Sequence, residues 1–272
     1  MGSDPGRRGP ASTLAAIEPQ WPTPARVRAA FTCRTGGVSV APFDSLNVGA
    51  HVGDAVDAVR ENRRRLREEL QLPAEPVWLQ QVHGTEVVDL DALASERDGA
   101  RADIRAAAPA PEPPRADAAV ARVSGRVCAI QVADCMPVLF AARDGTAVAA
   151  AHAGWRGLAG GVLEETVRKL GVAPTHLLAW LGPTISQDNF EVGEDVRTAF
   201  TSHDPEAASA FVANTRGRWQ CDLYTLARRR LFALGIEDVF GGGWCTYADA
   251  ARFFSFRRDG QCGRMAALIW LE

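Results

Sequence analysis

Short apolar runs limit this chain more than any other feature. Residues 77–82, 127–132, 138–142 and 147–151 are too short for independent helices and apolar almost throughout, which is the pattern of strands buried on both faces. Three of these strands deliver soft ligands. They are His83 in Gln81-Val82-His83-Gly84, Cys135 in Ala133-Asp134-Cys135-Met136-Pro137, and His152 in Ala151-His152-Ala153-Gly154-Trp155-Arg156-Gly157. Two imidazoles and a thiolate are donors that zinc prefers, and three protein ligands leave one coordination position open for water or substrate, which is catalytic stoichiometry. Strand-end loops are also where an α/β fold carries its chemistry. Spacing alone does not bring the three together, since no C-x-x-C or H-E-x-x-H motif links them. A buried Cys as an inert small hydrophobe and a His as a satisfied core residue form the alternative reading.

Around these runs the pattern predicts further strands at 27–32, 177–181, 239–244 and 265–271. It also predicts helices after an Asp54 cap with Val56, Val59, Leu66 and Leu70 on one face, over 157–170, and from an Asp222 cap through Leu234. Strands and helices interleave without a βαβ repeat or a G-x-G-x-x-G turn, against a Rossmann dinucleotide site. The expected fold class is α/β, a layered sandwich with mixed sheets. Residues 1–25 read as a flexible polar leader and 26–272 as one domain, with an exposed Ala/Pro-rich loop at 91–116.

A formal net charge of -3 gives no reason to expect a nucleic-acid partner, and the arginine runs at 63–65 and 228–230 fall in helical patterns as solvated faces. Six scattered cysteines lack the spacing of a disulfide scaffold and read as reduced cytoplasmic thiols. The start of the chain has no apolar core of signal-peptide length, and no apolar stretch approaches the roughly 20 residues of a membrane span. A monomer or weak homodimer without membrane partners is expected.

Candidates for substrate contact come from donor chemistry. Arg34 beside Gly36-Gly37 and Arg156 opening a glycine-flanked helix suit an anion, because guanidinium forks and helix N-terminal N–H groups both favour phosphate. Arg257 and Arg258 add positive charge. For each of these arginines a structural ion pair is the equal alternative. Asn47 offers an amide to a hydroxyl or base edge, or shapes the turn before Val48-Gly49. Phe253, Phe254 and Phe256 offer stacking, with core packing the better reading of at least two. Cys245 follows an apolar strand, and its structural reading is the stronger.

Several long segments together resemble one family. Thr32-Cys33-Arg34-Thr35-Gly36-Gly37-Val38-Ser39, Ser45-Leu46-Asn47-Val48-Gly49 and His51-Val52-Gly53-Asp54 resemble the opening of the YfiH/laccase-domain family of purine nucleoside phosphorylases, also described as polyphenol oxidases or peptidoglycan editing factors. The resemblance continues through the His83, Cys135 and His152 segments, Leu181-Gly182-Pro183, Phe190-Glu191-Val192-Gly193 and the run from Phe253 to Gly260, and spans about residues 28 to 271. It implies a zinc site on His83, Cys135 and His152, the residues singled out above. It also implies a single three-layer α-β-α domain similar to the cysteine hydrolase fold of cytotoxic necrotizing factor toxins. Cys262 stands where family members commonly carry Thr, so no shared role is assigned to it.

Three functions follow. The first is a zinc enzyme that cleaves adenosine, inosine or methylthioadenosine with phosphate and deaminates adenosine; its partners are purine nucleoside and phosphate. An open zinc site lowers the pKa of water to about 7, which suits attack on an electron-poor ring carbon. The H-x-E and P-C-x-x-C pattern of cytidine-type deaminases is absent, so such activity needs a different scaffold. The second is a cysteine hydrolase with Cys135 as nucleophile and His152 or His83 as base, editing a peptidoglycan precursor. The third is a copper polyphenol oxidase. Five His in the chain, with no H-x-H pair, are too few for several copper centres, although copper can occupy the zinc ligands.

Overall fold

The computed structural model describes residues 14–103 and 112–272. The chain opens with β1 (Ala16–Ile17), β2 (Val27–Thr32), α1 (Val56–Glu69), β3 (Val87–Asp89) and α2 (Leu90–Asp103). Four core strands follow, β4 (Ala118–Ala121), β5 (Val127–Val132), β6 (Met136–Ala142) and β7 (Val148–Ala153), then α3 (Trp155–Gly160), α4 (Val162–Leu170) and β8 (Leu177–Leu181). The remainder comprises β9 (Glu191–Val192), α5 (Glu194–Thr201), β10 (Phe211–Ala213), β11 (Trp219–Cys221), α6 (Leu223–Ala233), β12 (Val239–Gly241), α7 (Phe256–Asp259) and β13 (Met265–Leu271).

Two large sheets carry the architecture, one in the order β1-β2-β13-β5 and one in the order β12-β8-β6-β7-β4-β3. The second is mixed, with parallel β12–β8 and β3–β4 pairs at its edges and antiparallel pairs between. Alternation along the strands separates the cores. In β13, Met265, Ala267 and Ile269 join the core between the sheets, while Ala266, Leu268 and Trp270 turn to the outer core with Leu66 of α1. In β6, Leu139 and Ala141 face inward, while Val138 and Phe140 meet Leu163 and Val167 of α4 and Leu226 of α6.

Two sheets rather than one therefore lie between the helices, and the three-layer expectation gives way to helix, sheet, sheet, helix. The cause is β5. It leaves the sheet of its chain neighbours β4 and β6 and pairs with β13, a strand apolar on both faces. The mixed α/β character stands.

Local sequence explains the other departures. Residues 77–82 are not a strand and make only bridges, Val77 to Cys128 and Gln80 to Arg115. The expected helix over 157–170 is two, broken where Gly161 takes φ +99°. The strand expected over 239–244 stops at Gly241, the first of three glycines with positive φ. Within the 91–116 segment, where a loop is expected, α2 forms because Ala, Leu, Glu and Arg, all good helix formers, make up nine of its fourteen residues. Residues 104–111 lie outside the described residues.

The leader expectation also shortens. Residues 1–13 lie outside the described residues, but Leu14 is buried and Ala16–Ile17 pairs with Thr32 and Phe31. Asp222 caps α6 by accepting from the Thr225 N–H, as its position predicts. Asp54 does not cap α1. Ala55 holds that position, and Asp54 accepts instead from Ser39 and Asn47, while Val56 is exposed. All six cysteines are free thiols. No described helix is long and apolar enough to cross a membrane.

Candidate metal centre

The segment Ala133-Asp134-Cys135 is the corner at which the chain passes from one sheet to the other. Asp134 turns it with φ +88°, a left-handed conformation uncommon in a non-glycine residue, and is held on every side. Its Oδ1 accepts from Thr246 Oγ1 at 2.6 Å, its Oδ2 from the Arg257 N–H at 2.7 Å, and its carbonyl from Ile185 at 3.1 Å. This clamp fixes Cys135. His152 stands near the end of β7 opposite Pro137, on the face that turns Val148 and Ala150 toward the other sheet. His83 comes from the loop beyond residue 82.

The three side chains converge. Their ligand atoms lie within 4.8 Å of one another, and no other group of three or more potential ligands forms among the described residues. Cys135 Sγ is 3.7 Å from His83 Nε2, and the two imidazole rings meet edge to face at 4.8 Å.

Asp117, fully buried just before β4, organises this cluster. Its Oδ1 accepts from the His83 N–H at 2.9 Å and from His152 Nδ1 at 2.8 Å, and its Oδ2 accepts from the N–H groups of Val82 and Gly84 at 3.1 and 2.7 Å. Burial pushes its carboxyl up, but the His152 and backbone hydrogen bonds outweigh that and hold it below 3.8. An ionised Asp117 fixes the proton of His152 on Nδ1 and turns Nε2 toward Cys135. The same three backbone bonds stabilise His83 at φ +61°. No motif marks Asp117. Its only signal is a charge opening an otherwise apolar strand in Ala116-Asp117-Ala118.

Burial also pushes the Cys135 thiol up, yet the charge of His152 and hydrogen bonds from both imidazoles bring it down to about 6. For His152, burial works against protonation, but the Cys135 thiolate and Asp117 raise it to about 9. Without metal the pair is therefore thiolate and imidazolium at neutral pH.

Gly154 gives the cluster room. A Cβ there would stand 2.9 Å from Cys135 Sγ and 3.0 Å from His83 Cδ2. Gly154→Ala is expected to push these ligands apart, lowering metal affinity on the order of 10-fold and stability by about 1–3 kcal/mol. Metal titration against wild type checks this; unchanged affinity would mean that the clash is relieved without moving the ligands.

The donor set fits zinc. Ligands at about 2.3 Å for sulfur and about 2.0 Å for nitrogen around one tetrahedral ion stand roughly 3.5 Å apart, close to the 3.7 Å between Cys135 and His83. The Asp117–His152 bond supplies the carboxylate–imidazole support common to such sites.

The cluster opens on a cavity of about 400 Å³. Among the residues expected at the substrate, Arg156 and Arg257 line it. Arg34, Asn47 and Arg258 do not. Arg34 donates to the carbonyls of Asp44 and Ala250, pairs with the Asp44 carboxylate and lies over Phe254. Asn47 is fully buried and shapes its turn by bonding Gly49, Asp54 and the Arg264 N–H. Arg258 donates to the carbonyls of Thr246, Tyr247 and Phe253 and pairs with Asp259.

The cavity wall also carries His51 and Arg264, which the sequence patterns do not single out. Phe253 and Phe254 are core residues, and Phe256 reaches the cavity wall. Cys245 lies in a separate hollow, its sulfur accepting from Ser186 Oγ at 3.0 Å and from the Ala248 N–H at 3.3 Å. Cys262 is buried.

A family model described as multi-copper polyphenol oxidoreductase laccase matches residues 28–272. The chain is 53% identical to a purine nucleoside phosphorylase of Pseudomonas aeruginosa, covering 94% of this chain and 98% of that one. It is 50% identical to purine nucleoside phosphorylase YfiH of Escherichia coli over the same shares. Among solved structures, a Neisseria meningitidis protein of the DUF152 family superposes with a TM-score of 0.85 at 47% identity, covering 94% of this chain and 99% of that one. YlmD of Geobacillus stearothermophilus superposes at 0.80 with 32% identity, covering 92% and 93%.

Proposed function

We propose that this chain, which belongs to the YfiH family of laccase-domain proteins, is a zinc-dependent purine nucleoside phosphorylase. It converts adenosine, inosine or methylthioadenosine with phosphate to the free base and the corresponding ribose 1-phosphate, and also deaminates adenosine. The observation that carries most weight is the convergence of His83, Cys135 and His152 on a cavity of about 400 Å³, within the usual range for a small-molecule site. The names of the curated relatives supply the nucleoside and the phosphate.

Zinc held by these residues supplies Lewis-acid polarisation and activation of water near neutral pH. Asp117 holds His152 in one tautomer and one orientation, so its Nε2 needs no reorganisation as the reaction proceeds. The walls formed by Trp155, Phe190 and Phe256 suit a flat purine. In phosphorolysis a phosphate oxygen bonds to C1′ while the C1′–N9 bond breaks, its electron pair goes to the purine, and the proton of the phosphate ends on the departing base. In deamination, water oxygen bonds to C6 and the C6–N bond breaks, releasing ammonia.

Two other readings each keep one observation. The thiolate of Cys135 beside His152 would also serve a cysteine hydrolase acting on a peptidoglycan precursor. The description of the family model favours copper-dependent phenol oxidation. Zinc-loaded protein given adenosine and phosphate is expected to form adenine and ribose 1-phosphate, and without phosphate to form inosine. Both activities should vanish on chelation and return with zinc, while phenol oxidation should need copper. No nucleoside turnover by zinc-loaded protein, or full turnover by stripped protein, would overturn the reading.

A further inference from the structure

Three arginines line the cavity beside the His83–Cys135–His152 cluster: Arg156, Arg257 and Arg264. None forms an ion pair among the described residues, unlike Arg34 with Asp44 or Arg258 with Asp259. Asp134 is the one carboxylate on the cavity wall, and both its oxygens are occupied, by Thr246 and by the Arg257 N–H. Three guanidiniums therefore face one carboxylate, and the cavity wall keeps an excess of positive charge.

The arginines are held in place while keeping donors free. Each lies over an aromatic ring of the same wall: Arg156 over Trp155 at 4.3 Å, Arg257 over Phe190 at 5.2 Å and Arg264 over Phe256 at 5.9 Å. Arg257 donates from Nη1 to the Glu191 carbonyl, and Arg264 donates from Nη1 to the carbonyls of Cys262 and Gly263. In both residues Nε and Nη2 have no acceptor among the described residues. An open Nε–Nη2 edge is the geometry that grips two oxygens of a tetrahedral oxyanion.

We propose that the Nε–Nη2 edges of Arg257 and Arg264 form the anion subsite of this cavity and take inorganic phosphate beside the metal ligands. The assignment rests on the phosphorolysis reading for its choice of anion. Arg264 lies against Phe256, the residue before Arg257, so both guanidiniums are anchored at one turn. His51 stands on the same wall. Burial first, and then the positive field of Arg264, keep its imidazole below 6.5.

Calorimetric titration with inorganic phosphate, together with the phosphate KM, should be compared among wild type, Arg257→Gln and Arg264→Gln. Each variant is expected to bind phosphate roughly 10-fold more weakly and to raise the phosphate KM by more than the nucleoside KM. Arg264 also holds two carbonyls, so Arg257→Gln, which loses a single bond to Glu191, keeps the test decisive if Arg264→Gln fails to fold. Phosphate affinity and KM equal to wild type in Arg257→Gln would overturn the subsite even where ribose 1-phosphate forms normally. If no ribose 1-phosphate forms in wild type while phosphate binding still falls in Arg257→Gln, the subsite stands and phosphorolysis fails.

Discussion

Cys135→Ala should lose nearly all bound zinc and lower nucleoside turnover by about 10³-fold or more, while the domain stays folded. In the proposed site the thiolate is one of three protein ligands, and the two remaining imidazoles would make a far weaker site. The side chain is half-buried and small, so its removal costs about 1 kcal/mol or less of packing. Elemental analysis of untreated protein and a thermal melt measure both parts. A variant with full zinc and full turnover would show that Cys135 is not a ligand.

The protonation states add a second reading of the same site. In metal-free protein Cys135 is a thiolate above about 6 and His152 an imidazolium below about 9. Zinc requires the thiolate and the neutral imidazole, so between these values the pair must release one proton, and it leaves His152. Affinity is therefore expected to rise by about tenfold per pH unit across this window and to level off above it. A pH-independent affinity between 6.5 and 8.5 would mean that the pair is not coupled in this way.

The converging trio His83, Cys135 and His152 was legible because its chemistry is carried by residue type, and strand ends are legible as the limits of apolar runs. The substrate side was not. Arg257 and Arg258 are neighbours on a one-turn helix, where successive side chains diverge by about 100°, and only Arg257 reaches the cavity. Nothing local to Arg34 announces that its acceptors come from Asp44 and from Ala250, far along the chain. The second sheet was hidden for a related reason. The partner of β5, in mid-chain, is β13, the last strand, and alternation along a strand does not name its neighbour. In α2 the proline tract that follows drew the loop reading over residues whose own propensity is helical.

Asp117 is expected to be the most sensitive position outside the ligands. Its four accepted hydrogen bonds divide evenly, with the His83 N–H and His152 Nδ1 on one oxygen and the Val82 and Gly84 N–H groups on the other. Asparagine keeps the shape but offers one carbonyl and one NH₂, so whichever way the amide turns, two buried donors face a donor. Each unsatisfied group costs about 1–3 kcal/mol. Asp117→Asn should therefore lower the melting temperature clearly at pH 7, lower zinc affinity by about 10–100-fold, and lower turnover at least in proportion. Because the Asp117 carboxyl titrates below 3.8 in the fold, its stabilisation is whole above the ordinary carboxylate range and is lost as the pH falls through its folded value, where wild type and variant should converge. A purely structural role would lower the melting temperature and leave the zinc affinity of the folded protein unchanged. Imidazole ¹⁵N shifts separate the two, since a positioning Asp117 predicts loss of the fixed Nδ1–H tautomer of His152 in the variant. Retained tautomer, affinity and melting temperature in Asp117→Asn would remove Asp117 from the site's machinery altogether.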